Sequence, residues 1–225
     1  MIMDEYYSRP EVSNSDLSAL QELLHPKPQF GDKENAYAFG TLLDYMITEP
    51  HKVDLFNLKV EGQYANYRFT EEDFELAKAM KRAYYKDPFC KMISDAADFQ
   101  SISLRHNWTM NYNGFEFMMS QGFRAKWDLL VKAWKMGGDI KSTACSTQKE
   151  FEVACEHFGY YRSRSLYMDI EGTDKDMLIG ISKKNQKVFK IAINRGDKLY
   201  EHGKAQYEEL AFKYWMLFDG LKISA

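Results

Sequence analysis

The sequence predicts an α/β domain in which a central mixed β-sheet is flanked by helices. Apolar residues recur with a helical period of about 3.6 residues through most of the chain before Pro88. β-Branched and aromatic residues then alternate with polar ones from Phe99 to Trp134. Helical and strand patterns follow one another from there to the end of the chain. Helices before, between and after the strands are typical of a sheet that helices cover.

The length and composition indicate one globular domain spanning residues 1–225. The chain has 225 residues, of which 45% are hydrophobic and 28% charged, and both fractions are ordinary for a folded domain. No linker or low-complexity segment divides it. The three cysteines form no CxxC pair, so neither a disulfide framework nor a structural zinc site is indicated. The net charge of −3 argues against an extended nucleic-acid coat but allows a channel with a local basic lining.

The sequence carries no sign of membrane insertion or export. No apolar run approaches the roughly 20 residues that cross a bilayer. The acidic start Met1-Ile2-Met3-Asp4-Glu5 lacks the basic region and apolar core of a signal peptide. We therefore expect a cytoplasmic protein without membrane contact.

Three helices are predicted before the alternating segment, because N-cap residues begin them and prolines end them. They run from Ser13 to Pro26, from Glu34 to Thr48 and from Thr70 to Asp87. On the second helix, Asp44 follows Gly40 and Thr41, whose small side chains leave its carboxylate open to a ligand or to water. Helix geometry alone favours the interpretation in which the Asp44 carboxylate points at water.

The alternating segment predicts two or three antiparallel strands. Asn111-Tyr112-Asn113-Gly114 suits a hairpin turn between two of them. The last strand carries two sets of side chains on opposite faces. One set is Phe123, Ala125, Trp127, Leu129 and Val131, and the other is Arg124, Lys126 and Asp128. Asp128 is therefore expected on a polar face beside two cations.

A turn through Lys135, Met136, Gly137 and Gly138 is expected to return the chain antiparallel, since glycine tolerates the positive φ of tight turns. Asp139 and Lys141 follow two positions apart on the next strand, so their side chains share one face. Asp128, Asp139 and Lys141 are then expected to converge. The remaining chain predicts helices from Thr147 to Gly159 and from Tyr160 to Tyr167, a hairpin between Met177 and Ile193, and a helix from Gly196 to Phe218.

Two aspartates on neighbouring strands suit Mg²⁺, with Mn²⁺ as the alternative, because hard cations prefer carboxylate oxygens. Lys141 would add a compact positive charge that orients water or stabilises a charged transition state. Acid, acid and lysine together suit metal-dependent phosphodiester hydrolysis. A D-x-K triplet by itself is common, however, and most such triplets are ordinary surface ion pairs.

The order of several motifs resembles the PD-(D/E)XK nuclease superfamily and, within it, the exodeoxyribonuclease VIII (RecE) type of phage and prophage exonuclease. The matching pieces extend over most of the chain. They are residues 13–17, residues 39–44 before Glu49-Pro50, the strand 124–129, Gly138-Asp139-Ile140-Lys141-Ser142-Thr143, and Phe158-Gly159-Tyr160 followed by Tyr167. The Asp-Ile-Lys-Ser-Thr element is the most specific of them.

The resemblance implies a restriction-endonuclease-like core and a set of site residues. Asp128 and Asp139 would be metal ligands, Lys141 the catalytic lysine and Tyr167 the tyrosine of the motif on the following helix. Asp44 stands where relatives usually have a histidine, and a carboxylate there still suits Mg²⁺. Ser163 stands where they usually have a glutamine. The residues predicted to contact the substrate are Tyr167, Arg124 and Lys126.

The function that the resemblance implies is a 5′ to 3′ exonuclease on double-stranded DNA ends in phage-type recombination. Its expected partners are DNA and a single-strand annealing protein, and relatives of this type form homo-oligomeric rings. Two alternatives stay open. One is a nuclease-fold DNA-binding or assembly protein that has lost turnover, as the departures at Asp44 and Ser163 suggest. The other is an interaction domain in which the acid and lysine cluster is only an ion-pair network.

Overall fold

The computed structural model describes residues 5–26 and 33–219, and the structural statements below refer to them. Seven α-helices lie within these ranges. They are α1 (Asn14–Leu24), α2 (Lys33–Thr48), α3 (Glu71–Lys86), α4 (Pro88–Ala96), α5 (Gln148–His157), α6 (Tyr160–Glu171) and α7 (Lys198–Tyr214). Capping boxes at Ser13 and Asp16 and at Thr70 and Asp73 begin α1 and α3, as the sequence predicts.

The same ranges contain nine β-strands. They are β1 (Val53–Asp54), β2 (Lys59–Val60), β3 (Asp98–Arg105), β4 (Trp108–Tyr112), β5 (Phe115–Met119), β6 (Phe123–Val131), β7 (Met136–Thr143), β8 (Lys175–Ser182) and β9 (Val188–Asn194). Five of them form the central sheet in the order β3-β6-β7-β8-β9. Only β7 and β8 pair in parallel, while the other neighbours are antiparallel. The predicted α/β class with a central mixed sheet is therefore confirmed.

Helices cover both faces of the central sheet. On one face, α2, α3 and α4 enclose a core with apolar residues of β6, β7 and β8. On the other face, α6 contributes to two cores, one with α1 and α7 and one with α5 and β9. No helix among the described residues is long and apolar enough to cross a membrane.

Two parts of the fold depart from the predicted elements. The region between Asp98 and Val131 holds four strands instead of two or three, because the β4–β5 hairpin forms a separate sheet. Its turn has the expected positive φ angles of 51° at Asn113 and 84° at Gly114. Helix α4 was also not predicted. The Asp87 carboxylate accepts hydrogen bonds from the next main-chain N–H groups and Pro88 occupies the first turn, so the two residues begin a second helix.

Strand β6 does not keep one apolar face along its length, so that prediction was wrong. Phe123 and Ala125 pack in the core with α6 and α7, whereas Leu129 and Val131 pack in the core with α2, α3 and α4. The change of face falls at Asp128. Opposite this position on β3, Gln100 has a φ of 53°, which interrupts the regular pleat between the two strands. The distortion lies at the residue predicted to bind metal.

The connection from β6 to β7 is a hairpin, as predicted, but its glycines do not make the turn. A single 3₁₀ turn, Lys132–Trp134, leads into Lys135, which has a φ of 45°. Gly137 and Gly138 lie inside β7. A Cβ atom on Gly137 would be 1.9 Å from a ring carbon of Trp127, so the close approach of that ring requires glycine.

Candidate active site

The candidate site begins where β6 and β7 separate. The two strands pair only through Leu129–Gly138, Leu130–Gly137 and Val131–Met136. Beyond these pairs, Oδ2 of Asp128 accepts a 2.7 Å hydrogen bond from the main-chain N–H of Ile140. The carboxylate thus takes the place of a main-chain acceptor and links the two strands where their ladder ends.

Asp139 and Lys141 lie on one face of β7, as the spacing predicts. Their ion pair measures 2.7 Å from Lys141 Nζ to Asp139 Oδ2. The other carboxylate oxygen, Oδ1, accepts a 3.2 Å hydrogen bond from Nη1 of Arg164. Asp139 is only 8% exposed, and the partner of its Oδ2 among the described residues is Lys141 Nζ. A buried carboxylate that attracts one cation is also suited to a divalent one, since hard cations prefer carboxylate oxygens.

Asp44 joins the cluster from α2. Its carboxylate accepts hydrogen bonds from Gln100 Nε2 at 3.2 and 3.3 Å and from Thr48 Oγ1 at 3.2 Å. Burial and the nearby Asp128 carboxylate raise the pKa of Asp44 well above its usual value. The expectation from helix geometry, that Asp44 points at water, was therefore wrong, because β3 supplies a partner through the distorted Gln100.

Mutual repulsion and burial perturb the acids of this cluster. Burial, followed by the charge of Asp139, raises the pKa of Asp128 to about 6. Burial opposes the charge of Lys141, but the Asp139 and Asp128 carboxylates raise its pKa above the usual value. Lys141 is therefore a cation at neutral pH, and Asp128 gives up its proton just below neutral pH. Such perturbed groups concentrate at functional sites.

Arg164 and Asp176 complete the cluster and were not assigned from the sequence. Nε and Nη2 of Arg164 donate to the two carboxylate oxygens of Asp176 at 3.0 and 2.8 Å. Both side chains are buried, at 1% exposure each. Arg164 is buried too deeply to contact a phosphate. Nothing in the sequence pairs it with Asp176, which lies on a different element.

The donor set fits a hard divalent cation. Asp44, Asp128, Asp139 and Asp176 face two cations, Lys141 and Arg164, so the cluster carries an excess of negative charge when all its acids are ionised. The described residues contain no group of three acidic, histidine or cysteine side chains arranged around one point. Mg²⁺ is commonly held by one or two carboxylates together with water and substrate phosphate, so Asp128 and Asp139 would suffice.

The three predicted substrate contacts differ in their placement. Tyr167 is half-buried and packs edge-on against Trp127, with Arg164 over its ring. Arg124 is 8% exposed and donates to the main-chain carbonyls of Arg9 and Glu11. Both bonds use Nη1 and tie the guanidinium to the segment before α1, and its contact with substrate stays a prediction. Lys126 is half-buried on β6, and its role stays a prediction.

Two further residues of α6 make hydrogen bonds within the fold. The hydroxyl of Ser163 donates to the carbonyl of Tyr160, within its own helix. Arg162 donates to Asn14, Ser18 and Gln21 of α1, so it joins two helices. Tyr160 does reach the cluster, because Lys141 Nζ lies 5.4 Å from its ring centre.

The raised pKa of Asp128 predicts how stability depends on pH. A carboxyl whose pKa is about 6 in the folded protein, against an ordinary pKa of 3.8, costs stability once it is ionised. The stability of the metal-free protein should fall as pH rises from about 4 through 6. Asp128→Asn removes this cost while its amide oxygen still accepts from Ile140. We expect it to stabilise the metal-free protein by about 2–3 kcal/mol at pH 8.

Urea unfolding in chelator from pH 4.5 to pH 8 measures this effect. The matched control is Asp98→Asn, which removes an exposed aspartate from β3. A loss of stability in Asp128→Asn at pH 8, or a gain that is the same at every pH, would contradict the assignment.

Comparisons with known proteins identify similar solved structures but no family. The sequence matches no protein-family model and no curated protein. A phage-related exonuclease from Haemophilus somnus 129PT has 13% identity and a TM-score of 0.43, over 96% of this chain and 98% of that one. LHK-Exo in complex with dAMP has 13% identity and a TM-score of 0.37, over 92% and 91%. Similarity at this level assigns nothing to the present chain.

Proposed function

We propose that this protein is a metal-dependent nuclease that hydrolyses phosphodiester bonds of DNA. The observation that carries the proposal is the convergence of Asp128, Asp139 and Lys141 at the point where β6 and β7 separate. Two acids from adjacent strands and a lysine on the same face as one of them form the set that hydrolysis of a charged ester needs. The buried Asp139 carboxylate, which already pairs with Lys141, supports a cation in this place.

In this mechanism Asp128 and Asp139 would hold Mg²⁺, with Asp44 as an additional acid beside them. The bound ion supplies Lewis-acid activation of water and neutralises charge on the phosphate. Lys141 keeps its proton and donates to the attacking water or to a non-bridging phosphate oxygen. Arg164 holds the carboxylate of Asp139 in place. Mn²⁺ is the alternative ion, since it accepts the same oxygen ligands.

The finer assignments rest on the sequence resemblance. They are 5′ to 3′ hydrolysis from double-stranded ends, a role in phage-type recombination, a single-strand annealing partner and a homo-oligomeric ring. A circular duplex offers no end, so end-labelled linear DNA and closed circular DNA distinguish an exonuclease from an endonuclease. Release of mononucleotides from linear DNA alone is the expected result.

A second candidate is a nuclease-fold DNA-binding or assembly protein without turnover. Asp44 favours it, because the hydrogen bonds from Gln100 and Thr48 engage this carboxylate within the fold. This candidate predicts binding of duplex DNA with no Mg²⁺-dependent product. The third candidate, an interaction domain with a simple ion-pair network, predicts no effect of Mg²⁺ or Mn²⁺ on thermal stability.

Incubation with linear duplex DNA, with Mg²⁺ or with chelator, tests the proposal directly. We expect product only with the metal. Metal binding is measured separately by thermal unfolding, because an ion that binds only the folded state stabilises it. At a Mg²⁺ concentration of about 100 times its Kd, the gain is about 2.7 kcal/mol, or roughly 5–10 °C. Asp139→Asn should lose both the product and the shift. A wild-type protein with neither would refute the proposal.

A further inference from the structure

We infer that Arg164 and Asp176 form a positioning unit that sets the orientation of the Asp139 carboxylate, an inference that rests on the proposed nuclease function. Neither residue belongs to the acid and lysine set derived from the sequence. Both are buried at the back of the cluster, on α6 and β8. They would act through Asp139, without touching substrate.

The guanidinium of Arg164 is held in one plane. The centres of the Trp127 and Tyr167 rings lie 4.7 and 4.6 Å from its Cζ atom. Its Nε and Nη2 atoms donate to the two oxygens of Asp176. A guanidinium is a rigid planar fork, so fixing two donors also fixes the direction of the third. That third donor, Nη1, is the one that binds Asp139.

The direction of Nη1 decides which oxygen of Asp139 is left for other ligands. Nη1 binds Oδ1 at 3.2 Å, and the buried Oδ2 then lies 2.7 Å from Lys141 Nζ. A rotation of the carboxylate would break the bond to Arg164 in a buried place. Arg164 and Asp176 therefore fix the Asp139 carboxylate so that its Oδ2 faces the site.

Asp176 also limits how strongly Arg164 interacts with Asp139. Asp176 takes two of the three hydrogen bonds that Arg164 makes to carboxylates, and Asp139 takes one. A lone buried arginine beside Asp139 would neutralise the carboxylate and compete with a metal. With Asp176 as its main partner, Arg164 orients Asp139 and leaves part of its charge for a cation.

The unit also accounts for a feature of α6. Ser163, the residue before Arg164, donates to the carbonyl of Tyr160 within its own helix. Arg164, one position later, reaches Asp139 from the same helix. The next turn of α6 carries Tyr167, which packs on the guanidinium and thereby supports its plane. Tyr167 is thus a support of Arg164 in this chain.

Arg164→Lys tests the inference, because lysine keeps the charge but cannot bind Asp176 and Asp139 in a fixed fork. We expect the Mg²⁺ concentration for half-maximal thermal stabilisation of the DNA-free protein, like that for half-maximal hydrolysis, to rise by about 10–100-fold, with a lower kcat at saturating Mg²⁺. Asp176→Asn should shift the same quantity in the same direction. In Arg164→Ala, added methylguanidinium should restore part of the activity, which a protein with a merely damaged fold would not show.

Arg162→Lys is the matched control, since Arg162 is also buried on α6 and also binds three side chains. It should lower the melting temperature and leave the Mg²⁺ dependence unchanged. If Arg164→Lys behaves like this control and methylguanidinium restores nothing, Arg164 is only structural and the inference is wrong. If Arg164→Lys does not fold, Asp176→Asn decides by the same shift. Wild-type activity that Asp139→Asn abolishes would still support the proposed function, so the two failures are distinguishable.

Discussion

Replacing Lys141 with methionine is expected to lower Mg²⁺-dependent DNA hydrolysis by about 10²–10³-fold, the effect of removing one electrostatic stabiliser from an active site. Lys141 Nζ lies 2.7 Å from Asp139 and is the most accessible cation of the cluster, whereas Arg164 is buried behind it. Methionine keeps most of the side-chain volume and removes the charge. The acids Asp44 and Asp128 have raised pKa values and can take up a proton in response, so the fold should persist.

Single-turnover hydrolysis of end-labelled duplex DNA measures this loss, and binding of the same DNA in Ca²⁺ shows whether affinity is kept. The matched control is Lys190→Gln, which removes a β9 lysine from its 2.5 Å ion pair with Asp87, outside the cluster. The control should hydrolyse DNA at the wild-type rate. Normal turnover by Lys141→Met would remove Lys141 from the mechanism.

Gly137→Ala should be the most destabilising small substitution in the central sheet, with a loss of 3 kcal/mol or more, at or above the upper end of the ~1–3 kcal/mol usual for overpacking. Its Cβ would lie 1.9 and 2.6 Å from two carbons of the Trp127 ring and 2.7 Å from Asp176 Oδ2. Trp127 is fully buried and donates a hydrogen bond to Ser103, so it has no free space to move into. Any shift would also disturb the contacts that Trp127 and Asp176 make with Arg164.

Urea unfolding compares Gly137→Ala with two other glycine replacements. At Gly138 the nearest atom to an added Cβ is Leu129 Cδ1 at 3.0 Å, so a smaller loss is expected. At Gly40, in α2, the nearest atom is 3.8 Å away, and alanine should stabilise the helix by up to about 1 kcal/mol. Equal stability of the Gly137 and Gly40 variants would contradict the close approach of Trp127.

The glycines show what a local pattern misses. Gly137 and Gly138 follow a lysine and a methionine, a composition that suits a tight turn. The turn instead forms before the glycines, at Lys132–Trp134 and Lys135. Gly137 lies in the strand because the Trp127 ring of β6 occupies the space that a side chain there would need. The same ring sits where β6 changes face, at Asp128. Alternation alone cannot predict that change, since it depends on which helices cover each half of the strand.

What the sequence determined by itself is local. The capping residues of α1 and α3, and the placement of Asp139 and Lys141 on one face of a strand, depend on main-chain geometry over two to four positions. The tertiary structure alone decided the partners of the acids: Gln100 for Asp44, and Arg164 with Asp176 for Asp139. These pairs join helices to strands that are distant along the chain. A buried charge must be paired, and its partner is the group that tertiary packing brings within hydrogen-bond distance. A local sequence pattern does not contain that information, because the contact forms only when the helices pack on the sheet.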